Sequence, residues 1–245
     1  MLVLPLVYVI YTALREGWKV FVSSVTDEYA VKSIFLTVKV TVITVIINSV
    51  FGIFAAWLIT RFKFRGKKLI STLIDLPLTI SPIIAGLIFV LTFGRQSAIY
   101  PFLEKWGIQI IFAVPGIVLA TIFVTFPFIS REIIPVLTVK GTDEEEAAAL
   151  MGANGFQIFT QITFPHIRWA FLYGVVLCSA RAMGEFGAVS VLSGHLRGIT
   201  NTMPLYIELL YQAFDFTGAF AMSAILVVMA LVILVLKNIF EKSME

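Results

Sequence analysis

Residues 141–165, GTDEEEAAALMGANGFQIFTQITFP, are the longest polar-led interruption between the apolar blocks of this 245-residue chain. Thr142 followed three residues later by Glu145 predicts a capping box, and the four acidic residues after Thr142 suit the positive end of a helix. The alanines that follow have high helix propensity, and Gly152 is placed to end the helix. The stretch therefore predicts a short, well-capped helix in a connection.

A second short helix is predicted directly after the first. Asn154 can cap it, and Pro165 is expected to close it off, because proline disfavours helical backbone in the residue before it. A simple linker between apolar blocks does not need two helices. The stretch is therefore interpreted as a surface on which another component docks.

The composition of the rest of the chain indicates a membrane protein. Hydrophobic residues make up 59% and charged residues 13%, and the mean hydropathy is +0.98. Most of the apolar residues fall in blocks of roughly 20 to 27 residues, and a helix of that length can cross about 30 Å of hydrocarbon. We therefore expect an all-α polytopic membrane protein. Cys178 is the only cysteine, which excludes a disulfide within the chain, and the net charge of +3 arises mainly from one short basic loop and gives no indication of nucleic acid binding.

The apolar blocks predict about six transmembrane helices in one domain that covers residues 1–245. The first block is short and lacks the basic leader of a signal peptide, so it is interpreted as a span abbreviated by a late start site. The predicted spans are residues 1–14, 34–60, 69–93, 110–134, 169–193 and 217–236.

The distribution of Lys and Arg predicts the orientation in the membrane. If both termini are cytoplasmic, ten of the cations near span ends lie inside and six lie outside. This agrees with the enrichment of cations in cytoplasmic loops. Trp57 and Trp169 would then lie at the inner interface, and Trp18 and Trp106 near the outer one. Residues 141–165 are accordingly expected to face the cytoplasm.

The spacing within this stretch resembles the EAA loop of bacterial ABC importer permeases. Glu146-Ala147-Ala148 is followed after three residues by Gly152 and after nine more by Ile162, with Phe164 where leucine is usual. The resemblance implies the type I ABC importer permease fold and a cytoplasmic coupling helix that fits a groove on a separate ATPase subunit. The residues expected to dock there are Glu145, Glu146, Ala147, Ala148, Gly152, Ala153 and Phe156.

Three further stretches, residues 112–135, 180–198 and 200–208, are similar to the CysW-type permeases of sulfate/thiosulfate importers. The similarity covers nearly all of the chain after residue 14. It implies a multi-pass permease of the bacterial cytoplasmic (inner) membrane that works with a second, CysT-like permease, an ABC ATPase dimer and an extracytoplasmic sulfate-binding protein. Molybdate and tungstate permeases are close relatives, so a molybdate or tungstate permease is the alternative.

The fifth predicted span carries two charges. Arg181 and Glu185 are four residues apart and share a helix face. They are interpreted as an internal ion pair that steadies the span or binds the partner permease. Alternatively, Arg181 contributes positive potential along an anion path.

Neutral donors can also hold a sulfate dianion. Ser190 and Ser193 supply hydroxyl groups in the outer half of the fifth span. Thr41 and Thr44 belong to a polar face of the second span. For both sets, packing or interhelical hydrogen bonding is the alternative to lining a substrate path.

The chain lacks the motifs of an enzyme. It contains no G-x-x-x-x-G-K-[ST] phosphate loop, so ATP and Mg are expected on the partner ATPase. No clustered cysteines and histidines indicate a metal site. No catalytic residue, cofactor or metal ligand is predicted in this chain. A self-sufficient secondary transporter is the alternative from another class; it would predict intramembrane carboxylates for ion coupling and often an inverted repeat.

Overall fold

The computed structural model describes residues 3–242, and this part of the chain is helical without any β-strand. The helices are α1 (Val3–Leu14), α2 (Trp18–Thr26), α3 (Glu28–Arg61), α4 (Lys67–Thr79), α5 (Pro82–Phe93), α6 (Tyr100–Lys105), α7 (Val114–Thr125), α8 (Pro127–Lys140), α9 (Asp143–Leu150), α10 (Gly155–Ile158), a π turn (Phe159–Thr163), α11 (Phe164–Met183), α12 (Gly187–Ser193), α13 (Met203–Gln212) and α14 (Phe216–Lys242).

The crossings predicted from the sequence correspond to helices in the structure. By length and composition, α3, the joined α7–α8 and residues 216–236 of α14 can each cross a membrane alone. They match the second, fourth and sixth predicted spans. The third and fifth predicted spans are each a pair of helices with a bend between them. The apolar helix of the first predicted span is shorter than the roughly 20 residues that a span needs. The all-α polytopic architecture is confirmed.

The third predicted span is not one straight helix. Helices α4 and α5 meet at an angle of 111°. Ile80 and Ser81 between them have extended backbone, with ψ of 135° and 132°. Pro82 begins α5, and proline disfavours helical backbone in the residue before it. Pro77, by contrast, lies inside α4 without ending it.

The fifth predicted span begins earlier than expected. The helical path runs from Gly155 to Met183 and bends by 52° before α12. Pro165 was expected to close a short helix, but that prediction is wrong: it lies in the first turn of α11. The π turn before it has wider i→i+5 hydrogen bonds. A proline in the first turn of a helix removes few backbone hydrogen bonds, so the helix can continue through Pro165.

Helices α3 and α11 both pack closely on α8. Gly52 of α3 and Gly174 of α11 lie on two sides of Ile129, which is fully buried. A Cβ added at Gly52 would lie 2.9 Å from the Ile129 Cβ, and one at Gly174 would lie 2.9 Å from its Cα. Small residues allow membrane helices to approach in this way. The three helices thus form a tight unit directly next to residues 141–165.

The polarity of α3 is the reverse of that in a water-soluble helix. Thr37 and Asn48 are buried, whereas Phe35 and Ile46 are 69% and 60% exposed. Lipid solvates apolar side chains well, and polar groups in a membrane need partners inside the protein. The exposed apolar face of α3 therefore agrees with its assignment as a membrane-crossing helix.

Candidate functional site

Helix α9 begins differently from the sequence prediction. Thr142 makes no side-chain cap to the helix backbone, so the predicted Thr142–Glu145 capping box is wrong. The Thr142 hydroxyl instead donates to Glu146 Oε1 at 2.7 Å. The acidic first turn still lies at the positive end of the helix, where it is favourable.

Glu145 is drawn inward by a contact that is distant in sequence. Arg61 Nη2 donates to Glu145 Oε1 at 2.9 Å, and Arg61 Nε lies 2.8 Å from Oε2. The Thr163 hydroxyl donates to the same Oε1 at 2.8 Å, and Arg61 Nη1 donates to the Leu137 carbonyl at 3.0 Å. The Arg61 and Glu145 side chains are only 9% and 15% exposed. This clamp ties α9 to α3, α8 and the π turn.

The end of α9 is fixed by Gly152, as predicted. Its φ of +92° is in the left-handed region, which glycine adopts without a steric penalty. Gly152 N donates to the Ala149 carbonyl and Ala153 N to the Ala148 carbonyl. This pair of bonds is a Schellman motif, which satisfies carbonyls that the helix end leaves open.

The second short helix has the predicted cap at Asn154. Asn154 Oδ1 accepts from Gln157 N, and Gln157 Oε1 accepts from Asn154 N, both at 2.9 Å. These reciprocal bonds are a capping box. Helix α10 then continues through the π turn into α11, so this segment is continuous with a membrane helix.

A second polar side-chain contact links α9 to α11. His166 Nε2 lies 2.8 Å from Glu144 Oε2. The hydrogen bond with His166 lowers the pKa of the Glu144 carboxyl below its ordinary value, and the charge of His166 adds to this effect. Glu144 and Glu145 thus hold the same short helix at two points.

The residues expected to dock divide into an outward and an inward group. Glu146, Ala147, Gly152 and Phe156 are exposed, and Phe156 is 77% exposed. Ala153 is half-buried, Ala148 is buried, and Glu145 lies in the clamp. The sequence prediction missed Leu150 and Met151, which are 90% and 83% exposed at the end of α9. The sequence did contain a signal for this exposed apolar end. Two large apolar residues stand directly before the glycine that ends the helix.

In the fifth span, the predicted Arg181–Glu185 ion pair is present. Arg181 Nη1 lies 2.6 Å from Glu185 Oε2. Glu185 Oε1 also accepts from Ala188 N at 2.8 Å, at the start of α12. The Glu185 side chain is 1% exposed and that of Arg181 is 33% exposed. One face of the arginine therefore remains open while its charge is partly compensated.

The hydroxyl groups predicted for a substrate path differ in their hydrogen bonding. Ser190 Oγ donates to the Gly187 carbonyl, and Ser193 Oγ accepts from His195 N. Both hydroxyls thus serve the local backbone of α12 and its end. Thr41 and Thr44 are buried on α3, and their hydroxyl oxygens have no hydrogen-bond partner among the described residues.

The remaining residues of the polar face of α3 bind neighbouring elements. Asn48 Nδ2 donates to Thr125 Oγ1 at 2.8 Å. Thr37 Oγ1 accepts from Met203 N at 2.7 Å. These bonds join α3 to α7 and to the start of α13. Interhelical hydrogen bonding, one of the two sequence-based interpretations, thus accounts for both of these residues.

Residues 3–242 bring no three His, Cys, Asp or Glu side chains together in a way that could hold a metal ion. The ionisable groups near α9 instead pair with one another, through the clamp and the Glu144–His166 contact. The loop therefore offers a capped helix with exposed apolar side chains, which is suited to binding another protein.

Comparisons with known proteins agree with this geometry. Residues 48–245 match the family described as binding-protein-dependent transport system inner membrane component. The chain is 46% identical over 244 residues to the sulfate transport system permease protein CysW of Escherichia coli, covering 100% of this chain and 84% of that protein. It is 36% identical over 238 residues to a probable sulfate transport system permease protein cysT of Prototheca wickerhamii, covering 96% and 92%.

The fold also has a counterpart among solved structures. A chain of a bacterial alginate ABC transporter, crystallised with its alginate-bound periplasmic protein, superposes with a TM-score of 0.79 at 20% identity. The match covers 99% of this chain and 88% of that one. The overall arrangement of helices is therefore that of an ABC importer permease. On these grounds, the chain belongs to the family of inner membrane components of binding-protein-dependent transport systems, and within it to the CysW-type permeases.

Proposed function

We propose that this chain is a permease subunit of an ATP-driven importer of sulfate or thiosulfate. The observation that carries the proposal is the construction of α9, a short helix held by the Arg61–Glu145 clamp and capped at Gly152, with an exposed apolar end. Two relatives, 46% and 36% identical to it over the aligned residues, are named as a sulfate transport permease and a probable one.

We infer the partner subunits from the family to which the chain belongs. The chain has no phosphate loop, so ATP and Mg bind a separate ABC ATPase dimer, which contacts Glu146, Leu150, Met151 and Phe156. Glu145 contributes by holding α9 in place rather than by touching the ATPase. A second, CysT-like permease completes the route, and an extracytoplasmic binding protein delivers the anion. A rigid α9 transmits a rigid-body movement, which a flexible loop would absorb.

In this arrangement both termini and residues 141–165 face the cytoplasm. The support is the excess of Lys and Arg at that end of the spans. Arg61 lies at the cytoplasmic end of α3, and residues 61–68 carry five cations. The partly exposed Arg181 contributes positive potential along the anion route in the fifth span, because its pairing with Glu185 leaves one face of the guanidinium open.

Co-purification tests the docking of the ATPase. Leu150→Asp places a charge in the exposed apolar end of α9, and we expect the ATPase subunit to be lost from the purified complex. Ile199→Asp is the matched control, because Ile199 is 63% exposed in the loop that follows α12. Equal retention of the ATPase in both variants would overturn the assignment of α9.

Substrate uptake tests the second half of the proposal. Cells that carry the complete importer should take up labelled sulfate, and thiosulfate should compete with it. Stronger competition by molybdate or tungstate than by unlabelled sulfate would assign the chain to the alternative oxyanion class. Uptake that persists without the ATPase subunit would indicate a secondary transporter. Against that class stands Glu185, a buried carboxylate that is already paired with Arg181.

A further inference from the structure

A groove of about 820 Å³ lies between the last turns of α3 and the segment that follows α9. Ile53, Phe54 and Trp57 form one wall, and Phe156 and Phe159 form the opposite wall. Arg61 and Glu146 lie at its polar end. We call this space the loop groove. Phe54 is 56% exposed and Phe156 is 77% exposed, so an apolar surface is left open on both sides.

The position of the loop groove along α3 sets its depth in the membrane. Phe54 and Trp57 precede the last residue of α3, Arg61, by seven and four residues, and a helix rises about 1.5 Å per residue. The apolar wall therefore begins a few ångströms inside the hydrocarbon and ends at the interface, where tryptophan is enriched. A groove at this depth is within reach of phospholipid if α3 crosses the membrane.

Unpaired cations lie next to this end of α3. The Phe62 ring packs edge-on against Trp57 at 4.9 Å, so the extended segment after Arg61 starts at the wall of the groove. Lys63 and Arg65 follow and are exposed, and neither forms an ion pair within residues 3–242. Arg61 and Glu145 neutralise each other, which leaves Glu146 as the acidic group at the polar end. Residues 62–68 thus place four cations directly after the helix that forms the apolar wall.

We propose that the loop groove binds one anionic phospholipid from the leaflet in which α3 ends. An acyl chain lies between Phe54 and Phe159, and the phosphate lies against Lys63 and Arg65. Basic segments next to a transmembrane helix attract anionic lipid, and each cation contributes to the attraction. The proposal needs only that α3 crosses the membrane. It is independent of the substrate and of the direction in which the termini face.

Photo-crosslinking identifies the occupant. A photoreactive phenylalanine analogue replaces Phe54 in the full chain, expressed with its partner subunits. The complex is purified in detergent, washed free of bulk lipid and then irradiated. Phe35 is the matched control, because it is the same residue type on α3 and is 69% exposed outside the groove. We expect a phospholipid adduct at position 54 and none at position 35.

Charge variants test which lipid is bound. The double variant Lys63→Gln, Arg65→Gln removes both cations. Native mass spectrometry of the otherwise unmodified complex measures the fraction of phosphatidylglycerol among the retained lipids. We expect this fraction to fall by about fivefold for each cation removed. Lys19→Gln, an exposed cation on α2, should leave it unchanged. A protein adduct at position 54 would identify the groove as a subunit interface, and equal adducts at positions 54 and 35 would mean bulk lipid only. Either result, or an unchanged lipid composition in the double variant, would overturn the proposal.

Discussion

Arg61, the last residue of α3, holds the carboxylate of Glu145 in α9 from 84 positions away in the sequence. Nη2 donates to Oε1 at 2.9 Å, while Nε lies 2.8 Å from Oε2. Thr163 adds a third contact to the same carboxylate. Because both side chains are largely withdrawn from solvent, the pair is screened less than a surface pair. It makes the position of α9 depend on the end of a membrane helix.

Breaking this pair should therefore loosen α9. Arg61→Gln or Glu145→Gln leaves the other charge buried without its partner, and we expect each to lower the free energy of unfolding by about 3 kcal/mol. The double variant should lose less than the sum, because it leaves no unpaired charge. Thermal unfolding in detergent measures the stability, and limited proteolysis of residues 141–154 reports on the loosening.

The exposed Lys32–Glu28 pair is the control for the clamp. Its side chains are 48% and 72% exposed, so Lys32→Gln should cost less than about 1 kcal/mol. If the losses from Arg61→Gln and Glu145→Gln simply added, the two residues would not act as a coupled pair.

The conformation of Gly152 gives a second prediction. Gly152→Val forces a β-branched residue into a backbone with φ of +92°, which should cost about 2 kcal/mol and displace the end of α9. A Cβ at this position meets no atom within 4 Å, so the penalty comes from the backbone alone. We expect transport and ATPase retention to fall together.

Gly155 separates this backbone effect from added bulk. It also has open space around it, but it lies in α10 without a positive φ. Gly155→Val should therefore retain transport and the ATPase much better than Gly152→Val. Equal losses in the two variants would mean that the left-handed conformation of residue 152 is unimportant.

The sequence predicted the features that depend on neighbouring residues. The end of α9 at Gly152 and the cap at Asn154 were predicted because each motif closes within a few positions. The apolar blocks likewise located the crossings, since span length follows from bilayer thickness. The Arg181–Glu185 pair was predicted for the same reason, because i,i+4 residues share a helix face.

The errors arise where tertiary contacts compete with local rules. Glu145 fits a capping box, but Arg61 binds its carboxylate more favourably, and no sequence spacing relates the two residues. Pro165 is a helix breaker by itself, yet the π turn before it allows the helix to continue. Pro77 and Pro82 both lie within the same apolar block of the sequence. Only Pro82 stands at a sharp bend, whereas Pro77 lies inside α4. Whether Thr41 and Thr44 find partners depends on helix packing that the sequence does not contain.

The crossing of α5 and α12 gives a prediction about packing. A Cβ at Gly86 would lie 2.8 Å from the Ala188 carbonyl oxygen and 3.0 Å from the Val191 Cβ. Gly86→Ala should therefore force the helices apart and cost about 2 kcal/mol. At Gly184, the nearest atom would lie at an ordinary 3.8 Å, and Gly184→Ala should be tolerated. Thermal unfolding of the two variants in the same detergent compares them, and equal midpoints would contradict the close approach.

The Glu144–His166 contact predicts a pH dependence. Because the pKa of Glu144 is lowered in the folded protein, the contact stabilises the fold above the ordinary carboxyl pKa and is lost as the pH falls through the lowered value. His166→Phe removes the contact, so the loosening of α9 that accompanies protonation of Glu144 in the wild type should be absent from the variant. The rate of proteolysis of residues 141–154, measured from pH 6 to pH 3, should therefore rise as the pH falls in the wild type and change less in the variant. An identical pH profile in the wild type and the variant would contradict it.

The Arg181–Glu185 pair separates a structural role from a role in the anion path. Arg181→Gln leaves Glu185, which is 1% exposed, without its cation, and we expect a loss of about 2 kcal/mol, reduced by the solvent that reaches Arg181. Adding Glu185→Gln removes the buried charge and should restore most of the stability. If Arg181 supplies positive potential to the anion route, the double variant should still take up labelled sulfate at least about tenfold more slowly, the effect of roughly 1.4 kcal/mol. Uptake that recovers together with stability would instead show that the pair serves only to steady the fifth span.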